Sequence, residues 1–401
     1  MKSEASRRSR RSARLRFVAL AAAGAAALAV PAAATAGQAG AVYVAANQPQ
    51  NQVVVLGRGA DGSLSVVQRI ATGGAGALSN PPFGQNHLDA NNEVELTDNG
   101  RLLFAVNAGD DTVTSFRVGP DGRLTFADIK SSGGTHPVSV DSHNGLLYVL
   151  NGLDLGGHDL LGLRYSRDGT MTPIPGSTRQ LATPFAADNG FGFAAPLADQ
   201  VLFSPDGREL TVPERTTNAF AGQLDTFAVR SDGTLGPVHA NPSNAPIPFG
   251  GAWDNHGHLI VPNAGPPPAF HGSASSYSLS GTTLTAIDNA AAGGDATCWV
   301  AITNNGKYAF MPNQKTNDVS RFAIGHDGRL TRLGNVPTSG PPADPALSSN
   351  SRYLFVLDVL NANGSGSALI DGYRVESDGG LVHLSTTDPG IPDSASGLAA
   401  K

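Results

Sequence analysis

From residue 41 onward the chain alternates short apolar runs with turn chemistry. The runs are short and rich in Val, Ile, Leu, Phe and Tyr, and Gly, Pro, Ser, Thr, Asn and Asp separate them. No segment sustains a 3.6-residue apolar period. This pattern predicts strands and no long helices, an all-β protein. One hairpin is written seven times. It reads "QVVVLGRGADGSLSVV" from Gln52, "VTSFRVGPDGRLTF" from Val113, "LLGLRYSRDGTMTP" from Leu160 and "LDTFAVRSDGTLGP" from Leu224. It continues as "ASSYSLSGTTLTAI" from Ala274, "VSRFAIGHDGRLTR" from Val319 and "IDGYRVESDGGLVH" from Ile370. Six copies turn on Asp-Gly and the fifth on Gly281-Thr282. Glycine accepts the positive φ that a tight hairpin turn requires.

A second hairpin precedes most copies, as in "VELTDNGRLLFAVN" at 94–107, "VLFSPDGRELTVPE" at 201–214 and "VAITNNGKYAFMPN" at 300–313. Two hairpins make a four-stranded unit. The first unit begins late, at "AVYVAAN" (41–47), and lacks its leading strand. The missing strand is expected at the far end of the chain, in "SGLAA" at 396–400. Four-stranded repeats of about 50 residues read as propeller blades. The expected fold is a seven-bladed β-propeller of four-stranded antiparallel blades, closed where the C-terminal strand pairs into the first blade. Closure protects sheet edges that would otherwise be open.

Within that fold the turns "TDNG", "SPDG", "TNNG" and the Asp-Gly hairpins lie on one face. The long, individual loops lie on the other, and variable loops on a rigid scaffold carry function. Any site is therefore expected on the loop face, at the mouth of the central channel. Each second strand ends there in a polar residue: Asn107, Asn151, Glu214, Asn263, Asn313 and Asp358. Capping of the loop backbone is the plain explanation for the amides. Glu214 departs from the repeat and is followed by Arg215, a pair able to bind a carboxylate and move a proton. His87, with Glu93 after it, and His136 fall just before leading strands and suit acid/base work. Gln314, after Asn313, and Trp253 and Trp299, in leading strands, are further substrate-binding candidates; core packing is the alternative for the two indoles. His256, His258 and His326 fall on the turn face, and His158 and His271 have no evident partner in the sequence.

The N-terminus changes the picture of where the protein works. Residues 1–16 carry Lys2 and six arginines, an apolar run follows to Ala34, and Ala34-Thr35-Ala36 is a small-x-small site. These features predict a secretory signal at 1–36 and a mature propeller at 37–401. Arg10-Arg11 resembles a twin-arginine signal, but the hydrophobic positions after it fit poorly, so the Sec and Tat routes both stay open. Removing seven of the 27 basic side chains and one of the 33 acidic ones leaves a net charge near −12. So acidic a surface argues against nucleic-acid and anionic-lipid partners. No further apolar stretch is long enough to span a bilayer, and a closed ring is expected to be monomeric. Cys298 is the sole cysteine, so no intrachain disulfide can form; its apolar run reads as a buried, inert thiol. No metal-ligand spacing is read and no cofactor is expected.

The unit "DNGRLLFAVNAGDDTVTSFRVGPDGRLTF" resembles the YVTN-type repeat of lactonase-family propellers. That family includes propeller-type 6-phosphogluconolactonase and fungal carboxymuconate-lactonizing enzyme, and the resemblance spans essentially all of 41–400. It implies metal-independent hydrolysis or formation of a small lactone, with a lactone or carboxylate as partner. The family's "H-x-H" before "SPDGR", its "GPRH" and its "NRGHDS" are absent. "PLADQVLF", "FGGAWDN" and "NQKTNDVSRF" stand in their places, the last with Gln314 and Lys315. These departures leave a second reading open, a non-catalytic extracellular propeller that binds a glycan, peptide or envelope partner.

Overall fold

The computed structural model describes residues 38–77, 88, 90–152, 158–183, 197–215, 221–359 and 366–401. The expected signal segment and His87 lie outside these residues. Residues 36–401 form one compact unit. Every regular element among the described residues is a strand, and no helix there is long and apolar enough to cross a membrane.

Seven antiparallel sheets follow one another around a ring. Blade 2 is Val94–Leu96, Leu102–Asn107, Thr112–Val118 and Leu124–Ser131. Blade 3 runs Pro137–His143, Leu146–Asn151, Asp159–Tyr165 and Met171–Pro173, with Arg179–Gln180 also on its third strand. Blade 4 has a divided first strand, Leu197–Ala198 and Leu202–Phe203, then Glu209–Arg215, Gly222–Ala228 and His239–Pro242. Blade 5 is Ala252–Trp253, His258–Asn263, His271–Ser280 and Thr283–Asp295, and blade 6 is Ala301–Ile302, Tyr308–Asn313, Asp318–Ile324 and Leu330–Pro337. Blade 7 is Pro342–Leu347, Tyr353–Val359, Ala368–Val375 and Leu381–Thr387.

Blade 1 closes the ring as the sequence predicts. Gly40–Ala45, Gln52–Arg58 and Leu64–Ala71 receive Ser396–Ala400 as their channel-side strand, with Val42 opposite Ala400 and Tyr43 opposite Ala399. The Ala41 and Lys401 backbones exchange two hydrogen bonds at the end of the ladder, 2.7 and 3.2 Å long. The hairpin turns take the expected form: Gly62, Gly122, Gly169, Gly233, Gly281, Gly328 and Gly379 all have positive φ. Five blades carry a register shift between their third and fourth strands, at Val55/Leu56, Ser115/Phe116, Ser276/Tyr277, Arg321/Phe322 and Gly372/Tyr373. A bulge repeated at that place adds twist to each blade.

The core lies between blades. Phe116, Phe227, Tyr277, Phe322 and Tyr373 occupy third strands and are fully buried or nearly so. Four second-strand tyrosines cross to the next blade and donate to the carbonyl of its outer turn. These bonds are Tyr43 to Gly122 (2.9 Å), Tyr148 to Gly233 (2.5 Å), Tyr308 to Ser377 (2.9 Å) and Tyr353 to Ala60 (2.7 Å). The last of these ties blade 7 to blade 1. A Cβ on Gly62 would lie 2.6 Å from the Tyr353 ring, so this turn needs glycine for space as well as for φ. A phenol that is buried for its apolar area while its hydroxyl finds a carbonyl suits such a latch.

Candidate functional site

The second-strand amides face their own hairpins. Asn107 donates to Thr112 Oγ1 (3.0 Å) and Thr114 Oγ1 (2.9 Å), and accepts from Asn51 Nδ2 (3.0 Å). Asn151 donates to Asp159 Oδ1 (2.8 Å) and to the Ser132 carbonyl (3.2 Å). Asn313 donates to Ser320 Oγ (2.6 Å) and accepts from Thr297 Oγ1 (2.5 Å). All three are fully buried. The Gln314 backbone N–H donates to the Ala296 carbonyl and its side chain is half-buried.

Blades 4 and 7 break this scheme, because both positions are acidic. Glu214 stands against Asp225, and Asp358 against Asp371. Glu214 Oε2 accepts from Thr183 Oγ1 (2.6 Å) and Gln223 Nε2 (2.7 Å), and the same Gln223 Nε2 reaches Asp225 Oδ1 at 3.0 Å. Asp225 Oδ2 accepts the Ala182 N–H at 2.5 Å. Glu214 Oε1 is buried with no hydrogen-bond partner among the described residues. Burial, then the charge of Asp225, pushes the Glu214 carboxyl up to about 8. Burial pushes Asp225 up to about 6, against the donors Ala182 N–H and Gln223. In blade 7, burial and then the Asp371 charge push Asp358 up to about 9. Asp371 is buried too, but donors from Thr386 and Ser339 outweigh that and hold it below its ordinary value.

Strand alternation separates Glu214 from Arg215. Arg215 points to the other face of its strand, where it pairs with Asp199 and lies over the Phe249 ring, 4.4 Å from its centroid. Phe249 in turn packs on Trp299 with ring centroids 5.2 Å apart. The structure therefore does not bring the Glu214 and Arg215 side chains to a shared point. His136 is half-buried with φ 54°, its backbone N–H held by Asp111 Oδ1 at 2.8 Å. Burial pushes His158 down to about 4, so it is neutral at pH 7. His271 has a partner the sequence did not reveal, Asp295 Oδ1 at 2.8 Å.

The loop-face end of the channel is crossed by the segment leading into blade 2. The Ala90 carbonyl accepts the Trp299 indole N–H at 2.8 Å, the Asn91 N–H donates to the Asp199 carbonyl at 2.9 Å, and the Asn92 carbonyl accepts the Val140 N–H at 3.0 Å. Blades 6, 4 and 3 thus pin three consecutive residues. Trp299, fully buried, belongs to this closure, whereas Trp253 lines the channel cavity beneath it. Glu93, also fully buried, accepts from Ser396 Oγ of the closing strand at 2.6 Å. Its neighbour Asp344 is raised well above the ordinary carboxyl range by burial and then by the Glu93 charge. No group of three or more His, Cys, Asp or Glu side chains among the described residues has the arrangement of a metal site.

Sequence reasoning passed over Asp225, Asp199 and the Asp358–Asp371 pair. The signal for the acid pairs was available: only these two units place a carboxylate both at the end of the second strand and in the middle of the third. Asp199 carries no such mark.

Residues 38–154 match the family described as "Lactonase, 7-bladed beta-propeller". No curated protein matches the chain. Among solved structures it is similar to the periplasmic gluconolactonase PpgL of Pseudomonas aeruginosa, with TM-score 0.68, 16% identity, and coverage of 90% of this chain and 98% of that one. It is similar to a Bacteroides fragilis protein assigned as a 6-phosphogluconolactonase, with TM-score 0.68, 15% identity, and coverage of 92% and 100%. A hypothetical selenium-binding protein from Sulfolobus tokodaii shares the fold at TM-score 0.64 and 10% identity, with coverage of 89% and 92%. The chain is thus a seven-bladed β-propeller whose residues 38–154 match the sequence pattern of the lactonase propeller family.

Proposed function

We propose that the protein is an exported lactonase-type enzyme that hydrolyses a small lactone, or forms one in reverse, by acid/base chemistry at Glu214 and Asp225. The observation that carries this reading is the pair itself: two buried carboxyls that share Gln223, one held up to about 8 and the other to about 6. Near neutrality Asp225 is mostly ionised and Glu214 mostly protonated, the division of labour that acid/base catalysis needs. Water adds to the lactone carbonyl and gives its proton to Asp225. The ring C–O bond breaks, and the ring oxygen takes the proton of Glu214. The product is the open hydroxy acid. In this reading His136 is a further proton carrier, and the sequence offers His87 for the same role. The lactonase match over 38–154 supports the substrate class. The basic, apolar and small-residue order of the N-terminus supports export, as does the periplasmic location of the P. aeruginosa neighbour.

A second reading, a non-catalytic propeller that binds an extracellular glycan or peptide, draws on one observation. Arg215 is engaged by Asp199 and Phe249 and Glu214 is fully buried, so the structure presents neither to solvent. One assay separates the two. The mature chain is given γ- and δ-lactones in a pH-stat, alongside Glu214→Gln, Asp225→Asn and His136→Ala. The enzyme reading expects acid release that falls at least about a hundredfold in Glu214→Gln while the variant keeps a single cooperative melt. No turnover above background by the wild-type chain leaves the binding reading.

A further inference from the structure

Among the described residues, Ala90–Asn92 cross the channel toward the loop face, and cavities open from there toward the turn face. Beneath Asn91 lies an inner cavity of about 230 Å³, walled by Asn91, Gln200, Trp253, Asp141 and Asp344. An outer cavity of about 690 Å³ leads out past the Thr97–Gly100 turn, Asn304 and Ser349. The two share Asn92, Asp141, Pro345 and Leu398 as walls. The inner cavity could hold roughly seven waters at liquid density, close to the volume of a small sugar.

Its lining is built from unsatisfied groups of both kinds. Asn91 is only 5% exposed, and its Nδ2 has no partner among the described residues. Oε2 of Glu95 at the outer cavity is likewise buried without a partner among the described residues, as is Nε1 of Trp253, which lines both the inner cavity and another one beside Ser204–Glu209. Unpaired buried donors and acceptors are costly and call for a partner. Gly250 leaves room for the Asn91 amide, since a Cβ there would fall 2.7 Å from Oδ1. The Gly251 N–H fixes Gln200 through Oε1 at 2.7 Å. A bare cation would meet the two N–H donors, and a bare anion would leave the carboxyl oxygens of Glu95, Asp141 and Asp344 without a donor. A hydroxyl group donates and accepts, so it satisfies both kinds at once. Burial supports this by keeping Asp141 at about 7 and Glu95 well above the ordinary range, which limits the charge in the channel.

We infer that the channel is a binding pocket for a small, neutral, polyhydroxylated molecule that enters from the turn face, with Asn91, Trp253 and Glu95 as its recognition groups. This pocket is separate from the Glu214–Asp225 pair on the loop face.

The test is titration of the mature chain with D-glucose, xylitol and myo-inositol, read by calorimetry and by tryptophan fluorescence. Trp253 is one of only two indoles, and the other, Trp299, lies in the closure. Calcium chloride and sodium phosphate serve as ion arms. The expected result is saturable binding of at least one neutral polyol. Trp253→Phe, which keeps an aromatic ring but removes the N–H, weakens it by about tenfold. Glu95→Gln, which keeps shape but changes an acceptor, weakens it by a similar factor. Both variants are first checked for an unchanged melting profile, and the second covers the case in which the first does not fold. Saturable binding of none of the three polyols means the cavity holds water alone and overturns the inference. Calcium or phosphate binding that no polyol displaces overturns it as well.

Discussion

The raised Glu214 carboxyl makes a prediction about stability that needs no substrate. The perturbation is Glu214→Gln. Glu214 is fully buried, and its native carboxyl is held at about 8 against an ordinary value of 4.5. The native state therefore keeps a proton that the unfolded chain releases earlier. Its stabilising effect is complete below the ordinary carboxyl range and declines as pH rises through about 8. Each pH unit across that window is worth up to about 1.4 kcal/mol, so the ceiling is about 5 kcal/mol. Relaxation around the ionised pair reduces this to about 2–3 kcal/mol, or a difference of about 3–4 °C in Tm for a chain of this length. The amide never ionises, so the variant lacks this slope.

The assay is the melting temperature of wild type and variant from pH 5 to 10. A constant offset is expected from the amide nitrogen in the place of Oε1, which has no partner among the described residues. The readout is the slope, not the offset. Other raised groups, such as Asp358 and Asp141, titrate in both proteins and cancel in the difference. Wild type should lose stability relative to the variant as pH rises through the window. Asp225→Asn should flatten part of the same slope, since it removes the charge that is the second cause of the shift. Two curves that stay parallel across the whole range would refute the reasoning, and with it the claim that Glu214 is a neutral acid near pH 7.

Deleting residues 396–401 removes the closing strand, the Ser396–Glu93 bond and the Gly397 N–H that Asp344 accepts; the truncated chain is expected to lose its cooperative melt, and an unaltered melt would count against ring closure as the source of stability. Arg215→Ala leaves Asp199, whose side chain is 1% exposed, without the guanidinium, and should cost about 3–5 kcal/mol in urea unfolding; a loss under about 1 kcal/mol contradicts a buried pair. Gly62→Ala places a Cβ against Tyr353 at positive φ and should cost more than Gly176→Ala, which has positive φ but nothing within 4 Å. The difference isolates the steric part, about 1–3 kcal/mol, and equal effects would mean that the turn backs away from the ring.

The architecture was legible because its signals are local. Asp-Gly between alternating runs fixes each outer hairpin within about 14 residues, and counting strands left one vacancy that only "SGLAA" could fill. The tyrosine latches could also have been read, since Tyr43, Tyr148, Tyr308 and Tyr353 recur near the starts of second strands. Recognising them required knowing that the next blade offers a carbonyl there. The site was far less legible. An Asn at the end of a second strand looks the same whether it caps or binds, and its role depends on the third-strand residue that faces it: Thr114 for Asn107, Ser320 for Asn313. Glu214 and Arg215 look like a pair because they are adjacent, although strand alternation alone sends their side chains apart. The closure of the channel was not legible at all, because it depends on Trp299 meeting Ala90 across 209 positions.

The two acid pairs were written by the same substitution in the same places, yet they are not equivalent, and the difference lies in the donors. Asp371 accepts the Ser339 N–H (2.7 Å), the Ser339 hydroxyl (2.8 Å) and the Thr386 hydroxyl (2.5 Å), with the Tyr373 phenol at 3.3 Å and His383 Nε2 at 3.2 Å. So many donors fix the negative charge on that oxygen pair, and Asp358 is left holding a proton up to about 9. Blade 7 therefore keeps one state across the neutral range, with Asp371 ionised and Asp358 protonated. Asp225 has only the Ala182 N–H and a share of Gln223, and the carboxyls of blade 4 sit at about 6 and about 8. Burial thus raises both carboxyls of blade 4, whereas in blade 7 the donors hold one of the two below its ordinary value. Among the described residues carboxyls meet at these two blade ends, and the sparser donor set makes the one at Glu214 and Asp225 the end that the proposed acid/base reading uses.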